Sequence, residues 1–413
     1  MVIRKSLHVL VCFLFFPSFL FSQRLGFSLA NGKNKVRIPI EIHNNLIVTT
    51  VMLNGKIPLK FIIDTGVRTA ILMDKDLGDI LNLVYSRKYS LSGIGGERIV
   101  DAYVANDISF DLPGVYSKGH AMLVLDDDLL QLKNYLGVEI HGILGYELFS
   151  RFIVQVSYQN KELILMSPKK FKPEKKYQVL PITIQDTKPY VLSDVHINDT
   201  TTIRAKLLID SGASHGLFLE SESDPRILIP DRNISSIIGR GIAGPMYGKI
   251  GRVKSLSLGK YTVDNVITNF PDAETYVDSL KVSPLVFRNG AMGGEVLSRF
   301  DIVFDFSAEK LYIKKNRNFN KKFYYNLSGL TVKVTGEHMD QFEISDVRKR
   351  SPSYDVGIQA GDFIMRINGL PAVHYDLDQI NKLFNSNPGR RISMEINRNG
   401  SIMKKLFNLE DPI

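Results

Sequence analysis

A mostly-β chain of two pseudo-symmetric lobes followed by a separate α+β domain is the fold class predicted by three observations in the 413 residues. One phrase occurs twice, as Phe61-Ile62-Ile63-Asp64-Thr65-Gly66 and as Leu207-Leu208-Ile209-Asp210-Ser211-Gly212. The stretches around the two copies match at four further places, among them the segments Val51 to Gly55 and Val195 to Asn198 that lead to each Asp, so the repeat is of a whole structural unit. After Asn326 the pattern changes to two strands, a helix and a closing hairpin, which marks a third domain with its own core.

The elements follow in chain order. Arg4 and Lys5 precede an apolar run from Leu7 to Phe21, and the small residue Ser22 follows, so residues 1–22 read as a cleavable export signal. The run is shorter than the ~20 residues of a membrane span, and no later segment replaces it as an anchor. The only cysteine, Cys12, lies inside this leader, so the mature chain carries no thiol or disulfide. An exported protein of this size without bridges points to a bacterial envelope, either the periplasm or the cell surface. Loss of Arg4 and Lys5 lowers the formal charge from +9 to +7. Much of the remaining excess sits in the tracts 169–176 and 310–322, which read as solvated connectors, and nucleic acid is not an expected partner.

Lobe 1 is expected over 36–167 and lobe 2 over 178–316, joined by a proline- and lysine-rich linker at 168–177 that should be extended and exposed. Each lobe opens with an apolar-Pro strand, Ile38-Pro39-Ile40 and Leu180-Pro181-Ile182. Each Asp ends an apolar run that reads as a buried strand, and the Gly after it lets the chain turn sharply. About thirty residues on, in both copies, stand glycine clusters, Gly93-Ile94-Gly95-Gly96 and Gly241-Ile242-Ala243-Gly244. The longest match sets the segment 143–154 beside 292–303, with Ser150-Arg151-Phe152 over Ser298-Arg299-Phe300, where an apolar Gly turn leads into a short helix ending near Ser-Arg-Phe and then a hairpin. The third domain, 327–413, has strands at 330–334 and 342–347, a helix around 377–385 and a hairpin turning at Asn399-Gly400.

Chance alone supplies roughly 0.2 Asp-Thr/Ser-Gly tripeptides in a chain this long, so two at matching places in a repeat are specific. Over roughly residues 36 to 316 the chain resembles the aspartic proteases of the pepsin and retropepsin type, with two such lobes. The resemblance implies that Asp64 and Asp210 face each other around a water and share a proton, with no metal or organic cofactor required. It implies that Thr65 and Ser211 tie the two loops together, with Gly66 and Gly212 leaving room beside them. It makes Gly93 to Gly96 and Gly241 to Gly244 flap tips over an extended peptide. The second copy continues as Ala213-Ser214, as the family does, whereas the first reads Val67-Arg68. Arg68 is placed to depress the pKa of Asp64, to contact substrate, or to face solvent.

Two other motif matches carry less. Gly212-Ala213-Ser214-His215-Gly216 fits the nucleophile elbow of serine hydrolases, but that reading leaves the repeat unexplained. Gly239-Arg240-Gly241-Ile242-Ala243-Gly244 fits a dinucleotide fingerprint, yet Pro245 and Gly248 stand where a helix must begin.

The third domain resembles a PDZ domain through Ser351-Pro352, Gly357-Ile358-Gln359-Ala360-Gly361-Asp362-Phe363-Ile364 and Ile367-Asn368-Gly369. The resemblance implies a peptide added as a strand beside 342–344, its C-terminal carboxylate held by the loop Gly329-Leu330-Thr331-Val332. The function expected is a monomeric, exported aspartic endopeptidase whose partners are polypeptide substrates and peptide C-termini. The rival is a non-catalytic peptide-binding protein built from the same folds.

Overall fold

The computed structural model describes residues 25–92, 99–126, 130–241, 244–272 and 286–413. The expected leader, 1–22, lies outside them. The two repeats meet in an antiparallel layer whose strands run, in spatial order, Gln178–Gln185, Lys310–Lys315, Phe300–Asp305, Ile153–Ser157, Glu162–Met166 and Lys35–Pro39. A pseudo-twofold axis passes between the middle pair, where Gln155 faces Val303. The apolar-Pro strands take equivalent places outside it, with Ile38 opposite Leu163 in one lobe and Leu180 opposite Leu311 in the other. One apolar core runs through both lobes. Phe149 of the first crosses to Phe304 and Phe306 of the second, with each ring pair 5.3 Å apart.

Each lobe then builds the same unit. In the first, Leu46–Leu53 pairs with Ile57–Ile63, and Gly142–Leu144 inserts parallel to Ile57–Ile63 and antiparallel to Ala70–Leu72. In the second, Lys188–His196 pairs with Thr202–Ile209, and Gly290–Met292 inserts between Thr202–Ile209 and Leu217–Leu219. The inserted strand must be thin where it passes its neighbour. A Cβ on Gly290 would overlap the carbonyl oxygen of Phe218, so only glycine fits.

Six helices occur among the described residues: α1 (Lys75–Ile80), α2 (Leu132–Leu136), α3 (Tyr146–Phe149), α4 (Gly294–Leu297), α5 (Pro352–Asp355) and α6 (Leu377–Phe384). None is long and apolar enough to cross a membrane.

Lobe 1 reaches further toward the N-terminus than residue 36. Ser28–Leu29 pairs with Val115–Tyr116, Phe27 is buried in the core, and Arg151 donates its Nε to the Phe27 carbonyl at 2.8 Å. The equivalent Arg299 is buried against the ring of Phe323 and donates to the carbonyls of Asn318, Phe319 and Lys321. The paired Ser-Arg-Phe sequences thus clamp the segments that enter and leave the double lobe. In the linker, Pro168–Lys170 is a single 3-10 turn, and Phe171 packs edge-on against Tyr312. Beyond that turn the backbone at Phe171 is extended, and 172–176 are exposed.

The third domain has a separate core and a sheet ordered Leu330–Thr335, Gln341–Val347, Phe363–Ile367, Arg391–Arg398 and Ser401–Asn408. The strand expected to receive a peptide, 342–344, is interior, hydrogen-bonded on both sides. The free edge near the N-terminus of this domain is Leu330–Thr335. Asp376 and Gln379 form a reciprocal capping box at the start of α6. The buried carboxylate of Asp362 accepts from Arg398 Nε and Nη2 at 2.6 and 2.7 Å. Although 327–413 forms this unit, Ile413 returns to the core of the lobes. Arg252 of lobe 2 holds it there, donating to the carbonyls of Ile413 and Phe323 and pairing with Asp411 at 3.3 Å.

Candidate active site

The strand before each Asp ends one residue short of it, at Ile63 and at Ile209, and the inserted strand beside it fixes the Asp backbone. Asp64 donates its amide to the Leu144 carbonyl at 2.9 Å, and Asp210 donates to Met292 at 3.0 Å. Beyond each Asp the chain doubles back so that the Gly66 amide reaches Asp64 Oδ1 at 2.6 Å and the Gly212 amide reaches Asp210 Oδ1 at 3.0 Å. The brace helices hold these loops from below. Tyr146 at the head of α3 donates its amide to Val67, and Gly294 at the head of α4 donates to Ala213.

Thr65 and Ser211 make four hydrogen bonds across the pseudo-twofold, two of them with each other. The Thr65 amide donates to Ser211 Oγ at 3.0 Å, and the Ser211 amide donates to Thr65 Oγ1 at 3.0 Å. Each hydroxyl in turn donates to the opposite lobe, Thr65 to Ile209 at 2.6 Å and Ser211 to Ile63 at 2.9 Å. All are buried, so removing one hydroxyl strands partners that water cannot reach. Ser211→Ala is expected to cost about 1–3 kcal/mol for each group left unpaired. Equilibrium denaturation should show the lowered midpoint, and an unchanged midpoint would refute this role.

The two carboxylates converge: a Cβ placed on Gly66 would stand 3.1 Å from Asp64 Oδ1 and 3.5 Å from Asp210 Oδ1. Burial, followed by the charge of Asp210, pushes the Asp64 carboxyl up to about 8 from its ordinary value, while the Gly66 amide and the ammonium of Lys188 pull it down. Arg68 is not the cation acting here. It is largely exposed and forms an ion pair with Asp186 of lobe 2. Register equivalence explains the arrangement. Val48 faces Ile62 as Tyr190 faces Leu208, so the hairpin turns Asn44-Asn45 and Asp186-Thr187 correspond, and all four residues have positive φ. Each turn reaches the loop behind the other lobe's Asp. Asn45 donates its side-chain amide to the Ser214 carbonyl at 3.3 Å, and Asp186 pairs with Arg68, the positional equivalent of Ser214. The departure at Arg68 is therefore half of an inter-lobe latch.

The same equivalence places Lys188 where lobe 1 has Leu46, a buried core residue. Lobe 2 thus brings an ammonium to the dyad from a position where lobe 1 has an aliphatic side chain. Lys188 is itself held below its usual pKa by burial and by Arg288, and the two aspartates oppose that shift. Sequence reasoning missed Lys188, because nothing short of the strand register brings it to the dyad. It also passed over Glu147 and Glu295, although both stand at the same place in the longest repeat match. Glu147 Oε1 accepts from the Ala70 amide at 2.9 Å, tying α3 to the loop after Asp64, and burial raises its pKa. Burial likewise pushes Glu295 up to about 7, against the opposing charges of Arg299 and Arg252.

Of the expected flap residues, Gly93, Ile94, Gly95, Gly96, Ile242 and Ala243 lie outside the described residues. Gly241 and Gly244 close a long antiparallel hairpin, Asn233–Gly241 with Gly244–Leu258. A hairpin here excludes the strand-to-helix turn of a dinucleotide site. In the third domain Gly329 has φ +84°, and a Cβ there would overlap Ser351. Its amide donates to Asn326 Oδ1 at 2.9 Å and that of Leu330 to Ser328 Oγ at 3.1 Å. The amides expected to capture a carboxylate are therefore bonded within their own loop. Thr331 and Val332 continue into the edge strand, paired with Asp346 and Ile344.

With this geometry in place, comparison with family models finds two matches. Residues 49–148 match an aspartyl protease family, and residues 343–398 match the PDZ domain family. No curated protein matches the chain.

Proposed function

We propose that this chain, with its aspartyl protease and PDZ domains, is an exported, cofactor-independent aspartic endopeptidase of the bacterial envelope that acts as a monomer. The single observation that carries the reading is the convergence of Asp64 and Asp210 at the end of two equivalent strands, locked by the Thr65–Ser211 exchange. Two half-buried carboxylates that converge in this way hold one proton between them. The ionised member takes a proton from a water positioned between the two as that water attacks the peptide carbonyl, and the protonated member donates to the carbonyl oxygen. On collapse of the tetrahedral species the amine leaves with a proton returned by the dyad. The PDZ domain holds an extended polypeptide along Leu330–Thr335, and strand pairing supplies the recognition because the loop amides of Gly329 and Leu330 are already bonded.

The rival is a binding protein that holds peptides without cutting them. Incubation with an unfolded protein from about pH 4 to about pH 9 separates the two. Cleavage blocked by a statine-containing peptide supports the protease, whereas intact substrate throughout would sink it.

Asp64's upward shift sets the alkaline limit, because activity needs one protonated carboxyl and that proton is lost as the pH rises through about 8. Lys188 favours the ionised form. Lys188→Met is expected to move the alkaline limb of the kcat profile to higher pH, and a limb that stays or moves down would contradict its placement.

A further inference from the structure

The edge strand of the PDZ domain already has an occupant. Leu330–Thr335 and α6 frame the groove in which such a domain adds a peptide strand, and α2 of lobe 1 lies against both. Asn134 of α2 donates its side-chain amide to the carbonyl of Val334 at 2.8 Å, satisfying an edge group that an added strand would use. Gly137, which ends α2 with φ +69°, is pressed onto the same groove. A Cβ there would stand 2.7 Å from Cβ of Leu377 in α6 and 3.5 Å from Cγ2 of Val334. Glycine is required twice at this position, once for its backbone and once for the close approach.

The same short segment is rooted in the protease. Leu136 and Val138 are buried with Leu46, Val48 and Ile62, the last of which stands two positions before Asp64. Between the anchor and the groove, Tyr135 receives the side chain of Arg240. Arg240 Nη2 donates to Tyr135 Oη at 2.6 Å, and the guanidinium carbon lies 4.0 Å from the ring centroid. Arg240 belongs to the hairpin of Asn233–Gly241 and Gly244–Leu258, which corresponds to the second flap. One turn of helix therefore touches the PDZ groove, the hairpin and the packing behind a catalytic strand.

We infer that 131–138 is an internal ligand of the PDZ groove, and that an extended polypeptide entering the groove displaces α2 and frees the Arg240 hairpin. The inference rests on the strand-addition reading of the PDZ domain given above. Its ligand is recognised by backbone pairing along Leu330–Thr335. The covered edge explains how an exposed strand is kept from pairing with other chains until a substrate arrives. The hairpin contact gives that event a path to the cleft, because Tyr135 cannot leave with α2 and keep Arg240.

Hydrogen exchange on the full chain tests this without requiring cleavage. In an Asp64→Asn background, carboxymethylated α-lactalbumin serves as a permanently unfolded probe. It should lower exchange along Leu330–Thr335 while raising it in α2 and in Asn233–Gly241. Without probe, Asn134→Ala should raise exchange in both strands about five-fold, the equilibrium worth of one neutral hydrogen bond. Tyr135→Phe, a milder change that keeps the ring, should raise it in the hairpin alone. A probe that leaves Leu330–Thr335 unprotected, or protects it while Asn233–Gly241 stays unchanged, overturns the inference. Absence of proteolysis by the unsubstituted chain would count against the protease reading and leave these exchange results standing.

Discussion

Asp210→Asn is expected to lower kcat on an unfolded protein by ~10²–10⁴-fold, the usual worth of a positioned acid-base group, and at the same time to raise the thermal midpoint near neutral pH. The two effects share a cause. Asp64 is pushed up to about 8 by burial and by the neighbouring Asp210, so near neutral pH the folded dyad retains a proton that the unfolded chain has released. The sign follows from linkage. A folded-state pKa raised above its ordinary value contributes stability that is fully present below the ordinary carboxylate pKa and is lost as the pH rises through about 8. Asn keeps the shape but removes the charge, and with it the second-largest cause of the shift. The midpoint of the variant should therefore fall less between about pH 5 and about pH 8 than that of the unsubstituted chain. Initial rates together with thermal melts at those two pH values decide the matter. A variant that stays within ten-fold of the parent rate, or that melts below the parent at the higher pH, removes Asp210 from the dyad.

What could be read from the residues was whatever the chain repeats. The doubled Asp phrase, the apolar-Pro strands and the Ser-Arg-Phe segments all occupy equivalent places, because a two-lobed fold uses each motif twice for the same local job. The strands Ile38-Pro39-Ile40 and Leu180-Pro181-Ile182 flank the shared layer at matching registers, and α3 and α4 brace matching loops. What could not be read is what joins unlike parts. Arg68 looked like a local anomaly beside Asp64, but its partner Asp186 lies in the other lobe's hairpin, at a distance that only the pseudo-twofold makes short. Lys188 escaped for the same reason. A lysine before a proline in an alternating strand has no local mark of a catalytic neighbour, and its meaning appears only once Lys188 is matched with Leu46.

Two sites show the limit from the other side. The strand 342–347 and the strand 330–335 have the same alternating pattern, and pattern alone does not say which is at the edge. Sheet order does, and it puts 330–335, not 342–347, at the edge. At Gly329 the residue type was informative, since its positive φ and the crowding by Ser351 both demand glycine. Yet the amides next to it are bonded to Asn326 and Ser328, whose side chains a sequence cannot orient. Glu147 and Glu295 lie between these cases. Their repetition was visible, and only burial and the Ala70 amide reveal that a carboxylate there ties brace to loop.

The pseudo-symmetry is incomplete at the dyad itself, which makes the two glycines that follow it unequal. A Cβ on Gly66 would meet Asp64 Oδ1 at 3.1 Å and Asp210 Oδ1 at 3.5 Å, distances that a small shift relieves. A Cβ on Gly212 would stand 2.7 Å from Asp64 Oδ1 and closer still to Cγ and Oδ2 of the same carboxylate. Asp64 cannot yield easily, because the Gly66 amide grips Oδ1 at 2.6 Å and Asp210 stands against it. Neither glycine has the positive φ that would disfavour alanine for backbone reasons, so the comparison isolates the crowding. Gly212→Ala is expected to push the Asp64 carboxylate out of line and to lower kcat/KM by about 10²-fold or more, the scale of a misplacement near 1 Å. Gly66→Ala should cost no more than about ten-fold, since its Cβ needs only a few tenths of an ångström. Steady-state kinetics of the two variants on one peptide substrate give the ratio directly. Equal losses, or a larger loss at Gly66, would mean that the carboxylates sit symmetrically between their loops and that Asp64 is not the crowded partner.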